Sequence, residues 1–136
     1  MFGPAFFTWP GGQAVATRQD FSWAVKAGTF AGTNTIPAKP NDVIILWGTG
    51  FGPTTPAPPA GVQVPGDKTY STSTLPTVTI NNILAKVYGA ALAPGFAGLY
   101  QVAIQVPDTL VDGDWPVVAT IGGVESPTGV VLSIKK

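Results

Sequence analysis

Cysteine and histidine are both absent from this chain. Their absence excludes disulfides, thiol nucleophiles, thiolate or imidazole metal sites, and every triad built on a histidine base. Secretion is not excluded, because only a disulfide framework is ruled out. Charge is also scarce, and seven basic side chains cancel seven acidic ones. Such a surface offers no broad field for nucleic acid or an anionic membrane. Near-zero net charge instead favours self-association or packing inside an assembly. No apolar run approaches the roughly 20 residues that span a bilayer, so membrane insertion is not expected. The start, Met1-Phe2-Gly3-Pro4-Ala5-Phe6-Phe7, lacks the basic and apolar regions of a signal peptide. It fits a cytoplasmic chain or a mature fragment with an added methionine; abundant Pro, Gly and Thr beside few charges favours the fragment. Helical amphipathic periodicity is convincing nowhere along the 136 residues.

What is present is organised around residues 42–53, where Val43-Ile44-Ile45-Leu46-Trp47 runs into Gly48, Gly50 and Gly52. The run is short and β-branched, which predicts a strand. Val43, Ile45 and Trp47 share one face and Ile44 and Leu46 the other, so a central strand covered on both sides is expected. The glycines turn the backbone sharply and leave Phe51 at a loop tip or folded back as a plug. Residues 1–34 hold half of the aromatics: Phe2, Phe6, Phe7, Trp9, Phe21, Trp23 and Phe30. They read as a lead-in segment with strands at 5–9 and 13–18, packed on a domain spanning 35–136. Residues 27–40 read as a loop. Prolines at 53, 56, 58, 59 and 65 predict a solvated, polyproline-like excursion that continues past Asp67, Lys68 and Tyr70.

From Leu75 the pattern alternates. Val78 and Ile80 face in, and Asn81-Asn82 is a two-residue hairpin turn. The return strand sets Ile83, Ala85 and Val87 against Lys86 and Tyr88, and 89–98 reads as a loop. Tyr100, Val102, Ile104 and Val106 give the clearest period of two. A turn with three acids over 107–114, a strand over 115–121, a Gly122-Gly123 turn and a strand over 130–134 complete the chain. Seven to eight short antiparallel strands predict an all-β sandwich.

Several stretches together resemble a known family: 42–53, the hairpin at Asn81-Asn82, Leu92-Ala93-Pro94-Gly95-Phe96-Ala97-Gly98-Leu99-Tyr100-Gln101-Val102, and Gln105-Val106-Pro107. It is the uncharacterised bacterial immunoglobulin-like domain found at the C-terminal end of large secreted proteins, itself similar to IPT/TIG domains. Gly48-Thr49-Gly50-Phe51-Gly52 resembles the first-strand signature of IPT/TIG domains, and Ile121-Gly122-Gly123-Val124 with 130–134 resembles their closing hairpin. The resemblance covers nearly the whole chain. It implies an immunoglobulin-like (IPT/TIG-type) β-sandwich in an extracellular or cell-surface setting. That family has no established activity, so the resemblance implies no catalytic residues.

Candidate sites come from the residues themselves. Asp108, Asp112 and Asp114 sit in one turn and are candidate Ca²⁺ ligands, although their spacing is not that of an EF-hand; solvated turn residues are the plainer reading. No other cofactor is expected. Trp9, Trp23, Tyr70 and Tyr88 are candidates for a platform under sugar rings, with Phe51 and Phe96 as further contact residues; Trp47 and Trp115 read as core. Lys86 beside Asn81 or Asn82 lacks a buried acid for an isopeptide cross-link. The serines have no base to activate them, and Pro53 and Pro56 block the helix that a phosphate-binding glycine loop requires. The chain therefore reads as no enzyme. The leading expectation is a non-catalytic module for adhesion, spacing or protein assembly, with a protein or another copy as partner. The alternatives are a polysaccharide-binding module and a subunit that self-assembles through its aromatic N-terminal segment.

Overall fold

In the computed structural model, residues 2–30, 35–58 and 63–136 are described. Among them no residue is helical. The strands are β1 (Ala5–Phe6), β2 (Ala16–Arg18), β3 (Val43–Thr49), β4 (Thr54–Thr55), β5 (Ser71–Thr72), β6 (Thr77–Ile80), β7 (Ile83–Leu92), β8 (Tyr100–Gln105), β9 (Gly113–Ile121), β10 (Val124–Glu125) and β11 (Val131–Ile134). All pair antiparallel in one curled sheet of order β1-β3-β8-β7-β6-β9-β10. β2 also lies on β3, and β11 also lies on β9. The two ends of the sheet are tied by a parallel bridge between Gln13 and Val131. Amides reinforce the tie, Ala14 donating to the Val131 carbonyl and Val131 to that of Gly12.

The concave side is the core. Ile44 and Leu46 from β3, Val102 and Ile104 from β8, Val78 and Ile80 from β6, Val117, Ala119 and Ile121 from β9, and Leu132 and Ile134 from β11 are all buried. Each strand contributes alternate residues, as the pleat requires. β3 is buried on that side only: Val43, Ile45 and Trp47 on its other face are half-exposed. The expectation of cover on both sides holds for one side, because the outer face meets no second layer among the described residues.

The lead-in chain is part of this body. β1 pairs Ala5 with Thr49 and Phe6 with Gly48, and β2 pairs Ala16 with Leu46. Phe51 is fully buried, its ring 5.8 Å from Phe6 and 5.7 Å from Tyr100. The plug alternative is thus the one realised. It depends on Gly50, whose φ is +77° and where a Cβ would stand 1.9 Å from the Gly3 carbonyl oxygen. Only glycine admits that crossing. The Tyr100 hydroxyl donates to the Gly52 carbonyl at 2.5 Å and fixes the far side of the same turn. Burial raises its phenol pKa above the ordinary value.

Other boundaries differ from the sequence reading. Among the described residues eleven strands form rather than seven or eight, since two-residue strands such as β4 and β5 are too short to register as a period. β7 runs on to Leu92 through a bulge between Val87 and Gly89, where a loop was expected from residue 89; a glycine inside a strand often marks such a bulge. The proline-rich excursion is not wholly solvated. Thr54 pairs with Thr72, Ser71 pairs with Ala91, and Val64 and Tyr70 enter the core. Pro59 lies outside the described residues. Asn81 and Asn82 both have positive φ, 53° and 61°, the geometry of a primed hairpin turn.

Candidate functional site

β1 and β2 both reach the same edge of β3 and part company at Trp47. There the Phe7 amide donates to the Trp47 carbonyl at 2.9 Å, Val15 to Phe7 at 2.9 Å, and Trp47 to Val15 at 3.1 Å. The chain between them turns out at Trp9-Pro10-Gly11-Gly12, with Thr8 bridging Ala14. After β2 it turns again, and Trp23 bridges Thr17. The residues flanking the first turn, Phe7 and Val15, and Trp23 of the second stand around the half-exposed outer face of β3. The result is a pocket of about 310 Å³ lined by Phe7, Val15, Thr17, Trp23, Trp47 and Leu99. Two of its three side-chain polar groups bond to each other, the Trp47 indole donating to the Thr17 hydroxyl at 3.0 Å, while the third is the Trp23 indole. A group entering this pocket therefore meets carbon and aromatic faces.

Trp9, Trp23 and Phe30 stack edge-on beside the pocket, with centroids 5.3 Å apart for Trp9–Trp23, 4.5 Å for Trp9–Phe30 and 6.0 Å for Trp23–Phe30. The Trp9 indole N–H is buried and has no acceptor among the described residues. The second turn is held by Arg18. Its guanidinium donates to the carbonyls of Trp23 (2.7 Å), Ile36 (2.8 Å) and Pro37 (2.8 Å), and lies 3.6 Å from the Asp42 carboxylate.

Of the residues expected to bind a ligand, Trp9 and Trp23 are brought together and the rest are not. Phe51 and Tyr70 are buried, which removes them from any exposed platform; the Tyr70 hydroxyl donates to Asp67 at 3.1 Å. Tyr88 is exposed on β7, two strands away from β3, with the Lys86 ammonium 5.0 Å above its ring. Phe96 is exposed in the loop after β7. Phe7, Trp47 and Leu99 were not singled out as ligand contacts. The available signal was that Trp47 continues the Val43 and Ile45 face, which a sheet layer had been expected to cover.

The three aspartates do not assemble either: no cluster of acids able to hold a metal ion forms among the described residues. Asp108 lies in a separate hollow with Asn41, Leu84 and Lys86. Asp112 accepts the Lys136 amide at 2.8 Å. Asp114 is engaged elsewhere, by the Ser133 hydroxyl (2.5 Å), the Lys26 ammonium (3.1 Å) and the Gln13 amide (3.5 Å). The Ser133 bond, then Lys26 and Gln13, hold the Asp114 carboxyl below its ordinary pKa against the opposing effect of partial burial. Ser133 is itself buried, and its hydroxyl also lies 3.0 Å from the Gln13 side-chain amide oxygen, so this group ties β11 to the lead-in chain. No described helix is long and apolar enough to cross a membrane. Comparison of the chain with protein-family models, with curated proteins and with solved structures finds no match.

Proposed function

We propose that the chain is a non-catalytic immunoglobulin-like module of an extracellular or cell-surface protein, serving adhesion, spacing or assembly. Its docking point is the pocket between Phe7, Trp23 and Trp47, and it takes an apolar side chain of a protein. The observation that carries this is the Trp47–Thr17 bond. It engages the Trp47 indole and the Thr17 hydroxyl with each other, and the exposed lining around them is apolar. Burying apolar surface there is favourable. A sugar ring would lose water from its hydroxyls without finding partners, which is costly. The immunoglobulin-like assignment is supported by the antiparallel pairing, the apolar concave face and the tie between lead-in chain and last strand, together with the resemblance of residues 42–53 and 92–107.

Nuclear magnetic resonance of the four tryptophan indole N–H groups tests the reading. Titration with N-acetyl-phenylalanine amide should shift the Trp23 and Trp47 signals, and titration with a cello-oligosaccharide should leave them in place. The reverse pattern, or no shift with either, removes the pocket as a docking point for side chains.

A further inference from the structure

The tip of the turn after β2 breaks a local rule. The Phe21 amide donates to the Arg18 carbonyl at 3.0 Å, closing a four-residue turn, and Phe21 itself has φ +66°. In a hairpin loop of this kind the left-handed position is normally glycine. Among the described residues, positive φ occurs at eleven glycines, at Asn41, Asn81 and Asn82, and at Phe21. Asparagine tolerates that region; a bulky aromatic there is a real outlier. Phe21 is moreover 81% exposed, so the strain brings no burial within this chain. Phe96, 55% exposed, has ordinary backbone and calls for no such explanation.

The tip is also held stiffly. Asp20 accepts the Ser22 amide at 3.0 Å and the Ser22 hydroxyl at 2.6 Å, and the Arg18 amide donates to the Ser22 carbonyl at 2.9 Å. A fixed, projecting aromatic loses little conformational freedom on docking. Strain that persists at an exposed, rigid position points to a use for the side chain.

We propose that Phe21 of one copy of this chain seats in the Phe7–Trp23–Trp47 pocket of a second copy; this rests on the reading of that pocket as a site for apolar side chains. The sizes agree, since an apolar void of about 150 Å³ accepts benzene and this pocket offers about 310 Å³ with an open mouth. Phe21 does not fill its own pocket, as its exposure shows. The seven basic and seven acidic side chains cancel, so copies meet without net repulsion. Knob and pocket belong to one molecule, and each association therefore joins unlike patches of like chains.

Sedimentation velocity of the full chain over a concentration series, from micromolar to millimolar, is the test. Wild type should associate as concentration rises, and both Phe21→Gly and Leu99→Arg should weaken that association at least on the order of tenfold. Phe21→Gly separates docking from folding: glycine suits the backbone, so Tm should hold or rise by roughly 3 °C while association is lost. Mixing the two variants should restore a one-to-one complex, because Phe21→Gly keeps an intact pocket and Leu99→Arg keeps an intact knob. A wild type monomeric throughout the series overturns the proposal, even where N-acetyl-phenylalanine amide shifts Trp23 and Trp47 and the pocket reading stands. Association that survives Phe21→Gly also overturns it.

Discussion

Replacing Phe51 by alanine probes how the glycine-rich turn is folded. The ring is fully buried and touches two other aromatics, Phe6 and Tyr100. Truncating a buried phenylalanine costs about 3–5 kcal/mol, from lost transfer energy and from the cavity left behind. The aromatic contacts place this site in the upper half of that range, since each such pair adds about 0.5–1.5 kcal/mol beyond area burial. Collapse around the cavity is hindered because Gly50 locks the Gly3 backbone against the turn. A loss of about 4 kcal/mol is expected, a large share of the 5–15 kcal/mol that holds a typical domain folded. With an unfolding entropy of about 2.1 cal/mol/K per residue, Tm should fall by roughly 14 °C. Urea unfolding followed by tryptophan fluorescence measures the change as a lower midpoint at unchanged slope. Phe51→Leu, which keeps apolar volume and loses the ring contacts, should cost only about 1.5 kcal/mol. If Phe51→Ala costs less than about 1 kcal/mol, the side chain is not the plug described and the reasoning about Gly50 fails with it.

Arg18→Ala removes a donor to three carbonyls and should lower stability by about 2 kcal/mol; Arg18→Lys should recover less than half, because an ammonium cannot reproduce the guanidinium fork. Chemical denaturation of both variants measures this. At the hairpin turn, Asn82→Gly should raise Tm slightly, by roughly 0.5 kcal/mol of stability, and Asn82→Val should lower it by about 1–2 kcal/mol, since φ is positive at this position. Asp114 sets a pH dependence. Its folded-state pKa is depressed, chiefly by Ser133 and then by Lys26 and Gln13, so the stability it contributes is present above its unfolded pKa of about 3.9 and is lost as pH falls through the folded value. Asp114→Asn should therefore be modestly less stable than wild type at neutral pH, with the gap closing from about pH 4 downward in thermal melts; a gap constant with pH would contradict this assignment.

How far the sequence disclosed this structure depended on the length of each signal. The alternation over residues 100–106 and the turn at Asn81-Asn82 are local, and both are found where expected. β3 was legible from its five apolar residues, and the glycines after it announced a sharp turn. The pocket was not legible, since its walls come from the chain between β1 and β2, from β2 and the turn after it, from β3 and from the loop before β8, brought together by pairings that no local pattern encodes. Val64 and Tyr70 were hidden for a related reason: the surrounding prolines signal solvated chain, and the neighbours that bury these side chains are distant in sequence. The aspartates misled because closeness along a turn does not imply convergence of carboxylates. Asp112 is drawn to the Lys136 amide beyond β11, and Asp114 to Ser133 within β11.

Fold and candidate site share one source in the lead-in chain. Residues 2–7 cover the glycine turn, and the Gly3 amide donates to the Gly50 carbonyl. Residues 12–18 tie β11 to β3 and so join the two ends of the sheet. The first of these stretches supplies Phe7 to the pocket and the second Val15 and Thr17, and the turn that follows supplies Trp23 and the exposed Phe21. Deleting its first ten residues would uncover Phe51, sever the pairing of β1 and remove Phe7 together, so a loss of association in such a truncation would report unfolding as readily as loss of a docking surface. Single substitutions at the rim and the tip, Leu99 and Phe21, leave that pairing untouched. They are the changes that separate what the lead-in chain does for the fold from what it presents to a partner.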